Sequence, residues 1–154
     1  MIEQRRIIGK FEFFRGASVE VKKGHSMIAH IGIFVSDIER SKKFFTAALK
    51  PIGYQLIREY GVTPNRPAAS AGFGEPPRAD LWIYQGDPGK VAVHIAFQVN
   101  KRAMVDAFYR AAIAAGGRDN GKPGPRPQYS ANYYGAFVLD SDGYNIEAVC
   151  REPE

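Results

Sequence analysis

HIGIFVSDIERSKKFFTAALKPIGY, residues 30–54, and HIAFQVNKRAMVDAFYRAAIAAGGR, residues 94–118, are two versions of one pattern. Aligned without a gap, they share His30/His94, Ile31/Ile95, Val35/Val99, Phe44/Phe108, Ala47/Ala111, Ala48/Ala112 and Gly53/Gly117. Leu49/Ile113 and Phe45/Tyr109 are close substitutes. A register that keeps an aromatic pair, a small-residue pair and a terminal glycine in step marks two copies of one supersecondary unit. Function is then expected where the copies meet.

Working outward, each copy opens with a strand and continues into a helix. In the first, AHIGIFV reads as a strand, and Ser36-Asp37-Ile38-Glu39 reads as a capping box. The helix is expected to run to about Lys50, burying Ile38, Phe44, Phe45 and Ala48, with Pro51 and Gly53 ending it. YQLIREY is a second strand, GVTPNRPAASAGFGEPPRA is loop-rich with one short strand, and DLWIY closes the unit. After the turn GDPGK, VAVHIAFQV opens the second unit, with Asn100 as the expected cap of a helix reaching Ala115 and closed by Gly116-Gly117. NGKPGPRPQYS reads as a loop, and YYGAFVL and YNIEAVC as a hairpin around Asp140-Ser141-Asp142-Gly143. Those aspartates resemble a calcium loop but lack its later glutamate and flanking helices, so turn chemistry is the better reading.

The order β-α-β-β-β therefore occurs twice, which predicts an α+β fold with a sheet of about eight strands, curved, and both helices on its convex side. The domain spans 27–150, as module one at 27–85 and module two at 90–150. Residues 1–26 stand outside the repeat. KFEFF and VEVKK around RGAS read there as an N-terminal extension, an accessory hairpin.

A chain of 154 residues is one domain by size and can bury a core. No apolar run is long enough to cross a bilayer, and no signal-peptide pattern opens the chain, so no membrane is expected. A single cysteine cannot form an internal disulfide, which favours a reducing, cytoplasmic setting. The net charge of +5 comes from dispersed basic residues without a recognition helix or stacking motif. No nucleic acid is expected as partner; an anionic small molecule suits the charge better.

Strand alternation selects the candidate site. Ile31, Ile33 and Val35 suit the helix, leaving His30, Gly32 and Phe34 on the other face. Val93, Ile95, Phe97 and Val99 do the same in module two, leaving His94, Ala96 and Gln98. On the last strand Ile146 and Ala148 oppose Asn145, Glu147 and Val149. A glutamate on an inner face is costly unless paired or metal-bound. His30, His94 and Glu147 converging from strands make a 2-His-1-carboxylate site for a divalent ion. The repeat places Trp82 where module two has Glu147. Trp82 cannot bind metal, so it and Tyr84 are expected to wall the cavity, with Gln98 beside them. Arg126, Tyr129 and Tyr133 can hold a carboxylate or phosphate, or be surface structure. His25 reads as inert and Cys150 as structural.

HIGIFVSDIERSKKFF, HIAFQV and FVLDSDGYNIEAV resemble the vicinal oxygen chelate superfamily, which includes glyoxalase I, extradiol dioxygenases, fosfomycin-modifying transferases and bleomycin-binding proteins. The resemblance implies a cupped, mostly antiparallel sheet around a metal, and puts His30, His94 and Glu147 on three of the family's ligand positions. Glu147 is then also the catalytic residue, and Trp82, Tyr84, Gln98, Arg126 and Tyr133 are substrate-binding. The expected cofactor is a divalent ion: Zn, Ni, Fe or Mn. Trp82 replaces a metal-binding glutamate of glyoxalase I, which weakens that particular assignment. The implied activity is a metal-dependent lyase, isomerase, dioxygenase or transferase acting on vicinal oxygens. The alternative is a metal-free binding or resistance protein that sequesters a drug or metabolite. Homodimers are common in the family, and an exchanged dimer would take His30 from one chain and His94 and Glu147 from the other.

Overall fold

A computed structural model describes residues 28–153. The expected hairpin within residues 1–26, and His25, lie outside the described residues. Module one runs β1 (Ile31–Val35), α1 (Ile38–Leu49), a 3-10 turn (Lys50–Ile52), β2 (Gln55–Tyr60), β3 (Ser70–Gly74) and β4 (Leu81–Gln85). Module two runs β5 (His94–Val99), α2 (Arg102–Ala114), β6 (Arg118–Pro125), β7 (Tyr134–Leu139) and β8 (Asn145–Cys150). The α+β class and the twofold β-α-β-β-β order are as expected.

The eight strands divide into two four-stranded sheets, ordered β1-β4-β3-β2 and β5-β8-β7-β6. Within each, the first and last strands of the module pair in parallel and the other pairings are antiparallel. The repeat register holds in three dimensions. Gly32 pairs with Trp82 and Ala96 with Glu147, each two residues past the equivalent histidine.

The helices decide how the modules meet. Their inner stripes repeat position for position: Ser41, Phe44 and Ala48 on α1, and Val105, Phe108 and Ala112 on α2, are all buried. This period places one apolar stripe on each helix. α1 packs on β2, β3 and β4, α2 on β6, β7 and β8, and the helices pack on each other. The helix pair thus joins the two sheets, and one core unites them. Tyr54 of module one meets Phe97 of module two edge-on at 5.1 Å. Gly117, just after α2, has no room for a Cβ, which would lie 2.4 Å from Val138 and 2.9 Å from Phe44 of the other module. Burying each large apolar side chain contributes about 1.5–3 kcal/mol. The strand faces that do not touch a helix carry Trp82 in module one and Glu147 in module two. A continuous eight-stranded cup is not formed within one chain.

Local departures from the sequence reading have clear causes. The cap of α1 is Asp37, which accepts from Arg40 N at 3.0 Å, not Ser36 in a capping box. Gln85 of β4 supplies a further acceptor, to Ile38 N at 2.8 Å. Ser36 is thereby released to hydrogen-bond Asp142 of module two. The cap position of α2 is Lys101 rather than Asn100, and no side chain caps it. The stretch expected as a loop after residue 120 includes much of β6, an edge strand with two register shifts near Gly121 and Gly124. An edge accepts proline and bulges because one side of its backbone needs no ladder partner.

The Asp140–Gly143 segment is a turn, as expected. Asp140 Oδ1 accepts from the amides of Asp142 and Tyr144, both at 2.9 Å, and Gly143 takes φ +84°. Tyr144 then reaches across to module one, its hydroxyl shared between the carbonyls of Phe34 (2.7 Å) and Pro88 (3.2 Å). Asp140 is 2 % exposed, and burial, with Asp142 adding to it, pushes its carboxyl above the ordinary 3.8. A carboxyl raised on folding penalises the charged native state, so its contribution to stability improves as pH falls through the folded value. Asp140→Asn keeps the acceptor and removes the charge. Urea unfolding should show this variant more stable than the parent at pH 7, with the gap closing towards pH 4. Asp140→Ala, which loses both amide bonds, should cost about 1–3 kcal/mol at either pH.

Candidate active site

Glu147 is the focus of module two. It sits mid-strand in β8, between Ala96 of β5 and Phe137 of β7, and is 1 % exposed. Both its oxygens are engaged. Oε2 lies 2.8 Å from His94 Nε2, and Oε1 accepts from the Tyr133 hydroxyl. Tyr133 precedes β7 and folds back over Gly135, where a Cβ would come within 3.0 Å of the ring and 3.1 Å of Glu147 Oε1. Glycine at 135 is therefore what lets the phenol reach the carboxylate. Burial, followed by the bond to Glu147, pushes the Tyr133 hydroxyl up to about 12.

Around this pair lies a cavity of about 650 Å³ lined by His94, Tyr129, Ser130, Tyr133, Phe137, Glu147 and Arg151. Arg151 lies over the Tyr133 ring at 5.3 Å and donates to Gln98 Oε1 at 3.2 Å. Tyr129 meets Tyr133 edge-on at 5.0 Å. A second hollow of about 340 Å³ borders the first through His94, Tyr129 and Phe137 and includes Arg126. The Arg126 guanidinium lies 5.6 Å over Phe137 and donates to the carbonyls of Lys122 and Pro125. A carboxylate and an imidazole at the floor, a phenol beside them and a guanidinium at the rim are suited to holding a cation below and an anionic ligand above.

The sequence-expected residues are thus partly gathered. His94, Glu147 and Tyr133 are in direct contact, Gln98 joins through Arg151, and Arg126 lines the adjoining hollow. His30 is not among them. It precedes β1, whose ladder opens with Ile31, and is exposed. Among the described residues no three His, Cys, Asp or Glu side chains lie close enough to hold a metal. His30 stands at the start of one four-stranded sheet and His94 in the other. Trp82 and Tyr84 lie on the outer face of module one, while Leu81 and Ile83 are buried on the helix side. Cys150 is buried, as a structural residue would be.

Arg151, Phe137 and Ser130 line the Glu147 cavity and are missed by the sequence reading. Arg151 continues the alternation of Asn145, Glu147 and Val149 by one more step, so strand parity could have found it. Phe137 is legible only from the β7–β8 register.

The profile described as Glyoxalase/Bleomycin resistance protein/Dioxygenase superfamily matches residues 27–148. A glyoxalase/bleomycin resistance protein from Albidiferax ferrireducens is 28% identical, with 82% of this chain and 100% of that one covered at TM-score 0.65. Glyoxalase I from Zea mays is 25% identical at TM-score 0.60, with 80% of this chain covering 45% of that one. A mutant of the fosfomycin resistance protein FosX from Listeria monocytogenes, complexed with Mn(II) and 1S,2S-dihydroxypropylphosphonic acid, is 21% identical. The match covers 80% of this chain and 91% of that one at TM-score 0.59, a likeness of fold. No curated protein matches the chain. With four-fifths of its length matched to the profile and the twofold βαβββ architecture in place, the chain belongs to the glyoxalase/bleomycin resistance protein/dioxygenase superfamily.

Proposed function

We propose that this protein is a cytoplasmic, metal-dependent enzyme acting on a small, anionic molecule, and that it works as a homodimer. The observation that carries this is the buried Glu147 carboxylate set 2.8 Å from His94 Nε2 at the floor of a cavity. An imidazole nitrogen and a carboxylate suit a divalent ion such as Zn, Ni, Fe or Mn. Two donors are too few to hold it firmly. His30 of a second copy is the proposed third, because among the described residues of one chain no third such donor lies near the pair. β1 and β5 are edge strands of their sheets, and edges favour such pairing. When bound, the ion would act as a Lewis acid on adjacent substrate oxygens.

The chain's own groups divide the remaining work. Arg151, steadied by Gln98, attracts and orients an anionic group at the rim. Phe137 and Tyr129 exclude water from the floor. Glu147 takes a substrate proton, with the Tyr133 hydroxyl bond at Oε1 stabilising the carboxylate between turnovers. A second reading, metal-free sequestration of a drug or metabolite, is favoured by the aromatic outer face around Trp82 and Tyr84.

Metal analysis after loading with Zn, Ni, Fe and Mn should find about one ion per chain, lost in His94→Ala and Glu147→Gln. Absence of metal under every loading condition would leave the sequestration reading. Tyr133→Phe should weaken metal binding by about 10- to 100-fold, the range for a partner that orients a ligand. Mixing His30→Ala with His94→Ala chains under exchange tests the shared site. A symmetric exchanged dimer restores one intact site per mixed dimer, roughly a quarter of parental metal content. A site within one chain restores none. Trp82→Glu places a carboxylate at the module-one equivalent of Glu147 and should tighten metal binding; unchanged affinity would show that the two open faces do not meet around one ion.

A further inference from the structure

The open face of module one is unlike that of module two. It carries a row of rings that lie low on the sheet. Tyr60 and Trp82 are nearly parallel, with centroids 5.9 Å apart and planes 7° apart. Trp82 and Tyr84 follow at 6.4 Å and 20°, and Phe34 adjoins Tyr84 at 5.9 Å. Glycines make this possible. A Cβ at Gly72 would lie 2.9 Å from the Trp82 indole, at Gly32 2.8 Å from the Tyr84 ring, and at Gly86 2.7 Å from the Phe34 ring. Any larger residue beneath would lift its ring. The indole N–H is already spent on Ala79 O at 3.2 Å, so Trp82 offers a ligand only its π surface. Phe34 at the edge is 54 % exposed.

The row ends in a cation. The Arg66 guanidinium sits 4.0 Å over the Tyr60 ring, and among the described residues no carboxylate pairs with it. Arg58 stands opposite Gly72 in register, on the same side as Tyr60 by alternation. We infer that this face is a ligand platform for a flat aromatic ring system bearing an anionic group, the ring lying on Trp82 and Tyr84 and the anion meeting Arg66. The inference rests on the reading that the outer faces take small molecules, and it names the class of molecule. Flat, polarised rings reward a planar ligand over a puckered one of equal size. A guanidinium without a carboxylate partner rewards a negative charge.

The full-length protein should be tested by equilibrium dialysis against 2-naphthoate, its saturated decalin carboxylate analogue and neutral 2-naphthamide, with chelator present and absent. The naphthoate should bind about 3- to 10-fold more tightly than the saturated acid. Trp82→Leu should abolish that preference, and Gly72→Ala, which lifts the indole, should reduce it. Arg66→Gln should weaken the naphthoate several-fold and leave the amide unchanged. Equal binding of the flat and puckered acids overturns the inference. So does a preference that survives Trp82→Leu, or no binding at millimolar ligand, as a face covered by another part of the chain or by a second copy would give. Ring preference that persists with chelator and in His94→Ala supports the platform even where the metal reading fails. Stoichiometric metal without ring preference overturns the platform alone.

Discussion

The packing of α1 against α2 is the constraint on which the rest of the molecule depends. Each helix must bury one apolar stripe, and each sheet offers one apolar face. The chain satisfies all four surfaces at once by packing each helix on its own sheet and the two helices on each other, with Phe44 and Phe108 at equivalent positions in a shared core. The open faces, with Phe34, Trp82 and Tyr84 in module one and His94 and Glu147 in module two, belong to separate sheets. A sequence repeat that suggests two histidines meeting across an axis becomes, in one chain, two histidines in no shared ligand cluster. The proposed second copy follows from this geometry rather than from any shortage of ligands in the sequence.

The two modules have kept one backbone and diverged in what their open faces carry. In module two Glu147 is surrounded by His94, Tyr133 and, further out, Arg151: groups that bind ions and move protons. In module one the same position is Trp82, flanked by Tyr60 and Tyr84. Glycine serves both faces by letting a ring approach the sheet closely. Gly135 lets Tyr133 fold onto Glu147, and Gly72 lets the indole lie flat. Placed opposite one another in a dimer, a polar floor and an aromatic ceiling would enclose a molecule that has one anionic and one planar part.

The modules are also fastened at one end by polar groups. Tyr144 spans to the backbone of Phe34 and Pro88, and Ser36 binds Asp142, so the loop after β1 and the last turn of module two hold each other. Asp140 organises that turn from a buried position and carries a desolvation cost for doing so. The fastening has a second effect. It anchors the C-terminal end of β1, the end opposite His30, to the last turn of module two.

Much of this was legible in the sequence by itself. The gapless repeat determined the two βαβββ modules, and strand parity determined which residues of β1, β5 and β8 face away from the helices. The repeat also put Trp82 at the module-one equivalent of Glu147, whereas the neighbouring of β5 and β8 is seen in the fold. These are local periodicities, fixed by the two-residue repeat of strands and the 3.6-residue repeat of helices. Parity does not say how two modules are oriented, because the same apolar stripes can pack helices outside one cup or between two sheets. Only the tertiary structure decided that, and so decided that His30 stands apart from Glu147 within a chain. It also decided contacts that depend on long-range approach. Gln85 and Asp37 cap α1 in place of Ser36, Tyr133 reaches Glu147 over a glycine, and Arg66 ends a row of rings drawn from β1, β2 and β4. Such contacts join residues distant in sequence, and no local pattern encodes which of them will meet.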